Sequence, residues 1–363
     1  GMQQFKPYFT GDKDPTKDFG SRRTVSIQKS FRTSDIDEIG DESHLTFFEM
    51  LGHFSFGDYF KKETIEWTFE ILTKNFGISE ERISASVFVG DEKIPIDQES
   101  YDAWLRFLPK DKIKLGTRED GNVWGPAGPE GPCGACNEVY VDGLEVATLV
   151  FMEYFYSKDG VFMPLQQKGV DVGWGFERTV KVLQNAPTLF ETDLFEPVIQ
   201  LISHRDVKDE ARSVRIIADH IRGATFLIAD GILPSNIAQG YILRRLLRRA
   251  IRHGKILDLD KNFLIPLSQK VIEMYKEFYP ELSLKKDDIL TIIEKEEEKF
   301  GKTLKQGLRE FDRLVTHKES IVRSVGGFNM PVDNLSGDEV FYLYESYGFP
   351  MELTKELAKE RGF

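Results

Sequence analysis

The chain has 363 residues, 40% of them hydrophobic and 28 of them Phe, enough to bury the cores of two domains. A formal net charge of −12 excludes a protein that coats nucleic acid indiscriminately, though a sum leaves room for local basic patches. Two cysteines exclude a disulfide framework, no signal peptide opens the chain, and the best apolar run, 226–233, contains Asp230 and falls far short of the ~18 residues of a membrane helix, so a reducing, cytoplasmic setting is expected.

From about 24 to 180 short β-rich runs dominate. TVSIQKSFR (24–32) and HLTFFEML (44–51), divided by the polar TSDIDEIGDES, predict an antiparallel hairpin with a long loop, and EVATLVFMEYFY (145–156) predicts a further strand. Cys133-Gly-Ala-Cys136 has metal-ligand spacing, but a structural zinc takes four ligands and no second Cys/His pair follows, so a metal-free turn is expected. VDVGWGFERTV (170–180) opens as a Gly-x-Gly nucleotide loop and then places Glu177-Arg178 where that fingerprint needs a third glycine. It fits neither the dinucleotide loop nor the phosphate loop of nucleotide triphosphatases.

From about 187 onward the period becomes helical. Val214, Ile217, Ile221, Ala224 and Ile228 recur at three and four, and 286–315 reads as a long charged helix with Ile289, Ile293, Phe300, Leu304, Leu308 and Phe311 along one side. His220 reads as a satisfied helix histidine, and Gly301-Lys302-Thr303, which resembles the end of a phosphate loop, falls mid-helix. Between these, GYILRRLLRRAIRHGK (240–255) sets Arg244, Arg248 and Arg252 on one face beside Arg245 and Arg249, with Leu243, Leu246, Leu247, Ala250 and Ile251 opposite. Such a face suits a phosphate backbone; the competing reading is a solvated face neutralised by acidic neighbours. The predicted organisation is α+β: an antiparallel-sheet domain over 1–186 and an all-helical domain over 187–363.

A hairpin with Phe31-Arg32 on its first strand and His44-Leu-Thr-Phe47 on its second, followed by Gly-x-Gly-Phe-Glu-Arg leading into a helix, resembles motifs 2 and 3 of the class II aminoacyl-tRNA synthetases. Within that class TFFEMLGHFSFGDYF (46–60), GPCGAC (131–136), ADHIRGATFLIADGILPSN (218–236) and YGFPMELT (347–354) are similar to the alanyl-tRNA synthetase family over nearly the whole chain. The resemblance implies a class II antiparallel sheet flanked by helices, a substrate set of ATP, alanine and tRNA(Ala), and Mg2+ accompanying ATP.

By family position Arg32 holds the α-phosphate and the alanine carboxylate, Phe47 stacks on adenine, and Arg178 holds the γ-phosphate in an ATP site shared with Gly175 and Glu177. Guanidinium suits such work because its planar fork bonds phosphate oxygens and stays charged. Asp171 partners the alanine ammonium, Gly173 leaves room for the methyl group, and Met50 lines its pocket; on local grounds Asp171 is also readable as a strand-end cap. Glu138 is the candidate carboxylate for Mg2+. In the helical half the resemblance places Asn236 and Glu345 at positions that read a G·U pair in the acceptor stem, with Arg244, Arg245, Arg248 and Arg252 on the backbone; Asn236 in LPSN also fits a helix N-cap.

The chain departs from the family pattern in places. Gly1-Met2 matches the middle of an upstream segment, so the motif 1 helix and strand are expected to be missing, and no hydrolytic editing domain is expected before Phe363. The loop after Arg32 lacks the Gly-Gly-Lys-His insertion of some relatives. Ala147 and Thr148 stand where many have Trp-Asn beside the amino-acid pocket. Two rival functions remain at this stage: a non-translational enzyme adenylating a small amino acid, which needs no arginine face, and a catalytically idle RNA-binding module.

Overall fold

The computed structural model describes residues 1–202, 211–324, 334–347 and 349–362. Gly348, within the YGFPMELT phrase, lies outside the described residues. The chain forms two compact units: Gly1–Arg32 with Phe47–Leu194, and Thr33–Thr46 with Phe195–Phe363.

In the first unit, strands β1 (Arg23–Phe31) and β2 (Phe47–Phe56) form the expected hairpin, pairing antiparallel from Arg23↔Ser55 to Phe31↔Phe47. They are followed by β3 (Ile83–Phe88), β4 (Ile113–Gly116), β5 (Val123–Trp124), β6 (Gly131–Val141), β7 (Leu144–Tyr156) and β8 (Phe162–Gly175). The order is β1-β2-β8-β7-β6-β3-β4, with β5 on β6. One pairing differs from the antiparallel expectation: β3 and β4 run parallel, because α4 (below) lies between them in the chain and returns it to the same end.

Helices α1 (Lys6–Phe9) and α2 (Pro15–Phe19) precede β1, α3 (Lys61–Glu70) and α4 (Gln98–Trp104) flank β3, and α5 (Phe176–Leu183) grows directly from the end of β8. Alternation along the strands splits the apolar residues between two faces. Val139, Ala147, Leu149, Phe151, Val170, Val172 and Trp174 pack with Ile65 and Phe69 of α3 and Trp104 of α4. On the other face Phe54, Phe56, Cys136, Val150 and Met152 pack with Met2, Phe5, Tyr8 and Phe9, the Phe5 and Phe54 rings 4.3 Å apart. Large buried side chains contribute ~1.5–3 kcal/mol each, so the N-terminal segment is held firmly over that part of the sheet.

The second unit is helical: α6 (Glu196–Ile202), α7 (Ala211–Ala229), α8 (Ala238–Ile256), α9 (Leu264–Tyr275), α10 (Pro280–Leu284), α11 (Lys286–Ser324), α12 (Gly337–Tyr347) and α13 (Met351–Glu360). The predicted stripes face inward: Val214, Ile217, Ile221, Ala224 and Ile228 of α7 are buried, as are Ile289, Ile293, Phe300, Leu304 and Phe311 of α11. Leu308 is half-buried, and Gly301-Lys302-Thr303 lies inside α11. Among the described residues no helix is long and apolar enough to cross a membrane.

Candidate active site

Strand register assembles the site. Ser26 pairs with Gly52, Gly52 with Gly173, Gly173 with Thr148 and Thr148 with Glu138, so one row crosses five strands on one face. The row on one side is Gln28, Met50 and Gly175; the row on the other includes Phe54, Asp171, Val150 and Cys136. Glycine keeps the middle of the row bare. A Cβ on Gly173 would stand 3.1 Å from the Met50 sulfur, and one on Gly52 would stand 2.6 Å from the Phe54 ring. The result is a floor of bare backbone bordered by a thioether and a carboxylate.

Asp171 is only 6% exposed, and burial pushes its carboxyl up to about 6, against the opposing charge of the Gly1 amino group. A carboxylate buried at the edge of a cavity floor is a strong attractor for an ammonium, because little water competes for it. Arg32, just past β1, lies 5.9 Å over the Phe48 ring, and Phe48 alternates onto the Met50 side of β2. Phe47 is 2% exposed and alternates with Glu49 and Leu51 onto the opposite side of the strand.

At the other end of the floor, α5 begins after Gly175. Arg178 Nη1 donates to the Glu145 carboxylate at 2.9 Å and to its carbonyl at 3.2 Å, and the Thr148 hydroxyl donates to the same carboxylate at 2.7 Å. Sequence reasoning missed Glu145, whose only signal was its position three residues before Thr148 in a strand. Glu177 is 1% exposed and accepts the Glu49 backbone N–H at 3.1 and 3.2 Å, one for each oxygen. Where β8 turns into helix, this carboxylate replaces the ladder partner that β2 would otherwise lose. Glu177 therefore braces the strand behind the floor.

Other candidates settle plainly. The Glu138 carboxylate accepts from the Tyr140 hydroxyl and from Ser86 at 3.3 Å. Cys133 and Cys136 are both buried free thiols; burial pushes Cys133 up to about 11 and Cys136 upward too. No group of three or more His, Cys, Asp or Glu among the described residues could hold a metal ion. His220 is fully buried with Nδ1 at 2.8 Å from Asp219 and Nε2 at 3.1 Å from Arg249, a satisfied histidine that burial lowers to about 4.

The α8 arginines are paired within their own unit. Arg252 is 2% exposed and bound to Glu356 and Glu360 of α13. Arg244 and Arg248 meet Glu296 of α11 at 3.3 and 3.0 Å, Arg245 meets Asp37 at 2.6 Å, and Arg249 meets Glu356 at 3.2 Å. Asn236 is exposed and its side-chain oxygen accepts from Arg244, whose Nη2 also donates to the Pro234 carbonyl at 3.2 Å. Ile237, without a side-chain cap bond, is the N-cap of α8. Glu345 is exposed on α12.

The family model of class II (A) tRNA synthetases matches residues 1–363. The chain belongs to that family. Among curated relatives it is 43% identical to an alanine–tRNA ligase of Borrelia hermsii and 42% identical to one of Borreliella afzelii, each match taking in 100% of this chain and 63% of the relative. It is also 42% identical to the alanine–tRNA ligase of Carboxydothermus hydrogenoformans, there spanning 42% of the relative's length. A pyrrolysyl-tRNA synthetase structure from Desulfitobacterium hafniense is a far more distant likeness, at 12% identity and a TM-score of 0.28 over 51% of this chain and 50% of that one.

Within this synthetase family member the sheet revises several expectations. Ala147 and Thr148 part company: Ala147 pairs with Trp174 and is buried in the α3 core, so only Thr148 borders the glycine floor. Glu177 contacts backbone of β2 in place of an open nucleotide site. Arg252 is corrected from a phosphate-facing side chain to a buried one, because two carboxylates of α13 enclose it. The N-cap alternative for Asn236 is removed, since α8 begins beyond it.

Proposed function

We propose that the chain activates L-alanine with ATP to alanyl-adenylate and transfers the alanyl group to the 3′ end of tRNA(Ala) in the cytoplasm. The observation that carries this is the convergence of Asp171, Met50 and Gly173 on neighbouring rows of one sheet face, beside Arg32 and with Arg178 at its end. Alanine–tRNA ligases some 40% identical over the whole chain support it.

In this mechanism the Asp171 carboxylate holds the alanine ammonium and so orients the alanine carboxylate toward the α-phosphorus of ATP. Attack there releases pyrophosphate. Arg32 is assigned to the reacting carboxylate and α-phosphate, and Arg178 at the start of α5 to the leaving phosphates, aided by the N–H groups of the helix end. Met50 and Gly173 are proposed to border the alanine methyl group. Gly175 is proposed for close backbone approach, and Phe48, on the Met50 side beside Arg32, for the adenine; Phe47, expected in that role, is buried on the opposite side of β2. In the second step the terminal ribose hydroxyl of tRNA attacks the alanyl carbonyl and AMP leaves.

Mg2+ keeps waters and substrate phosphates in its shell, so one or two protein carboxylates suffice. The hard oxygen donors of Glu138, in the row beside Thr148, and of Glu145, bonded to Thr148, fit that need, and they would hold the ion that neutralises phosphate charge. Recognition of the acceptor stem is assigned to exposed Asn236 and Glu345, with Arg244 holding the Asn236 amide oxygen. Pyrophosphate exchange with each of the twenty amino acids tests the reading: exchange with alanine alone is expected, and none with alanine overturns it.

A further inference from the structure

Arg32 and Phe47 flank a segment, 33–46, that belongs to the helical unit. Ile36 and Ile39 are fully buried there. Gly40, at φ +114°, is packed so closely that a Cβ would stand 2.8 Å from Arg212 Cγ and 3.0 Å from Ile216. The polar groups of the segment are also held. Arg245 bonds the Asp37 carboxylate at 2.6 Å, Arg249 donates to the Ile36 carbonyl at 2.8 Å, and Arg212 donates to the Asp37 carbonyl at 3.4 Å.

The tightest anchor is at the downstream end. Asp219 of α7 accepts the Thr46 backbone N–H at 2.8 Å and the Thr46 hydroxyl at 2.7 Å, and both residues are fully or almost fully buried. Asp219 is itself aimed by His220, and His220 by Arg249. Phe47 is the next residue in the chain. A free surface loop of this length would let its ends wander, whereas a carboxylate taking two bonds from one residue fixes both its position and its orientation.

We propose that Asp219, acting through Thr46, and Arg245 with Arg249, acting through Asp37 and Ile36, are positioning residues for adenylation: they fix the segment whose ends carry Arg32 and Phe47. The proposal rests on the adenylation reading above. It gives Arg245 and Arg249 of α8 a task that needs no RNA.

The test is alanine-dependent pyrophosphate exchange in the absence of tRNA, with melting temperature recorded for each variant. Thr46→Val removes the hydroxyl and keeps the shape; Thr46→Ser restores the hydroxyl. The expected result is a rise in KM for ATP of about tenfold or more in Thr46→Val, since a hydrogen bond to a charged group is lost, with KM for alanine within about twofold and Thr46→Ser close to wild type. If Thr46→Val does not fold, the solvent-side pair carries the test: Arg245→Ala is expected to raise the ATP KM by about threefold or more, partly rescued in Arg245→Lys. A folded variant that melts lower but keeps its ATP KM would reduce these contacts to structural ones and overturn the proposal. Wild-type protein without alanine-dependent exchange would remove the function and this role together, whereas active wild type with unaffected variants would remove this role alone.

Discussion

Asp171 combines burial, charge and substrate binding in one side chain. Because its folded pKa is raised to about 6 by burial, the fold favours the protonated form, and stability present below the ordinary carboxylate range is lost as pH rises through about 6. Two consequences separate function from stability. Asp171→Asn is expected to stabilise the fold above pH 6, by at most about 3 kcal/mol on the size of the shift, and to raise the KM for alanine far more than that for ATP. In the wild type the alanine KM is expected to climb as pH falls below about 6, where the carboxyl becomes neutral and the ammonium loses its partner. Chemical denaturation and exchange kinetics between pH 5 and 8 check both; equal effects on alanine and ATP would make Asp171 a support of the sheet. Arg178 belongs to the same scale. It is held in place by Glu145 before any nucleotide arrives, so Arg178→Ala is expected to lower exchange by on the order of 100-fold with the fold intact, and near-normal exchange would reject its role at the phosphates.

Elements show what a local pattern can and cannot carry. The β1–β2 hairpin was legible because alternation and a polar loop are local signals, and α7 and α11 because their apolar periods are unbroken. Strands β3, β4 and β6 and helices α3 and α4 gave no comparable signal: β6 is rich in Gly, Pro and Cys, and α3 is short. The site was legible as wording, from motif residues, while the row that joins Gly52, Gly173 and Thr148 depends on register between strands far apart in sequence. Ala147 illustrates the limit, since adjacent letters in a strand face opposite ways. The arginine face of α8 illustrates it again: spacing reveals the face, and its partners Asp37, Glu296, Glu356 and Glu360 come from distant segments. Burial pushes the Glu356 carboxyl upward, but the His253 ring 3.8 Å away and the charges of Arg249 and Arg252 outweigh it and hold the group well below the usual carboxylate range. A depressed carboxyl contributes stability at neutral pH that fades on acidification. Arg252→Ala removes one of two arginines from a partly buried carboxylate that keeps Arg249, so a loss of roughly 1.5–3 kcal/mol in urea unfolding is expected near pH 7, shrinking in acid, with the salt dependence of tRNA binding unchanged. A stable variant with a shallower salt slope would return Arg252 to the RNA backbone.

At the scale of the whole molecule, a cut in the chain and a cut in the structure are different things. Composition places a boundary near 186, where the period changes from two to 3.6, and the compact units do divide close by, between Leu194 and Phe195. Yet 33–46, which a linear division assigns to the sheet, clusters with the helices and contributes Ile36 and Ile39 to their side. A fragment ending at Leu194 would therefore carry the strands of the proposed catalytic face and still lose Asp219, Arg245 and Arg249, the partners of the segment that precedes Phe47. It would also expose two isoleucines, each worth ~1.5–3 kcal/mol when buried. The expected outcome is a sheet unit that retains β-rich circular dichroism but binds ATP at least about tenfold more weakly than the full chain, as read by titration calorimetry, with affinity recovered when 195–363 is added in trans. If 1–194 alone binds ATP and exchanges pyrophosphate as the full chain does, the helical unit serves RNA only and the catalytic strands are self-sufficient.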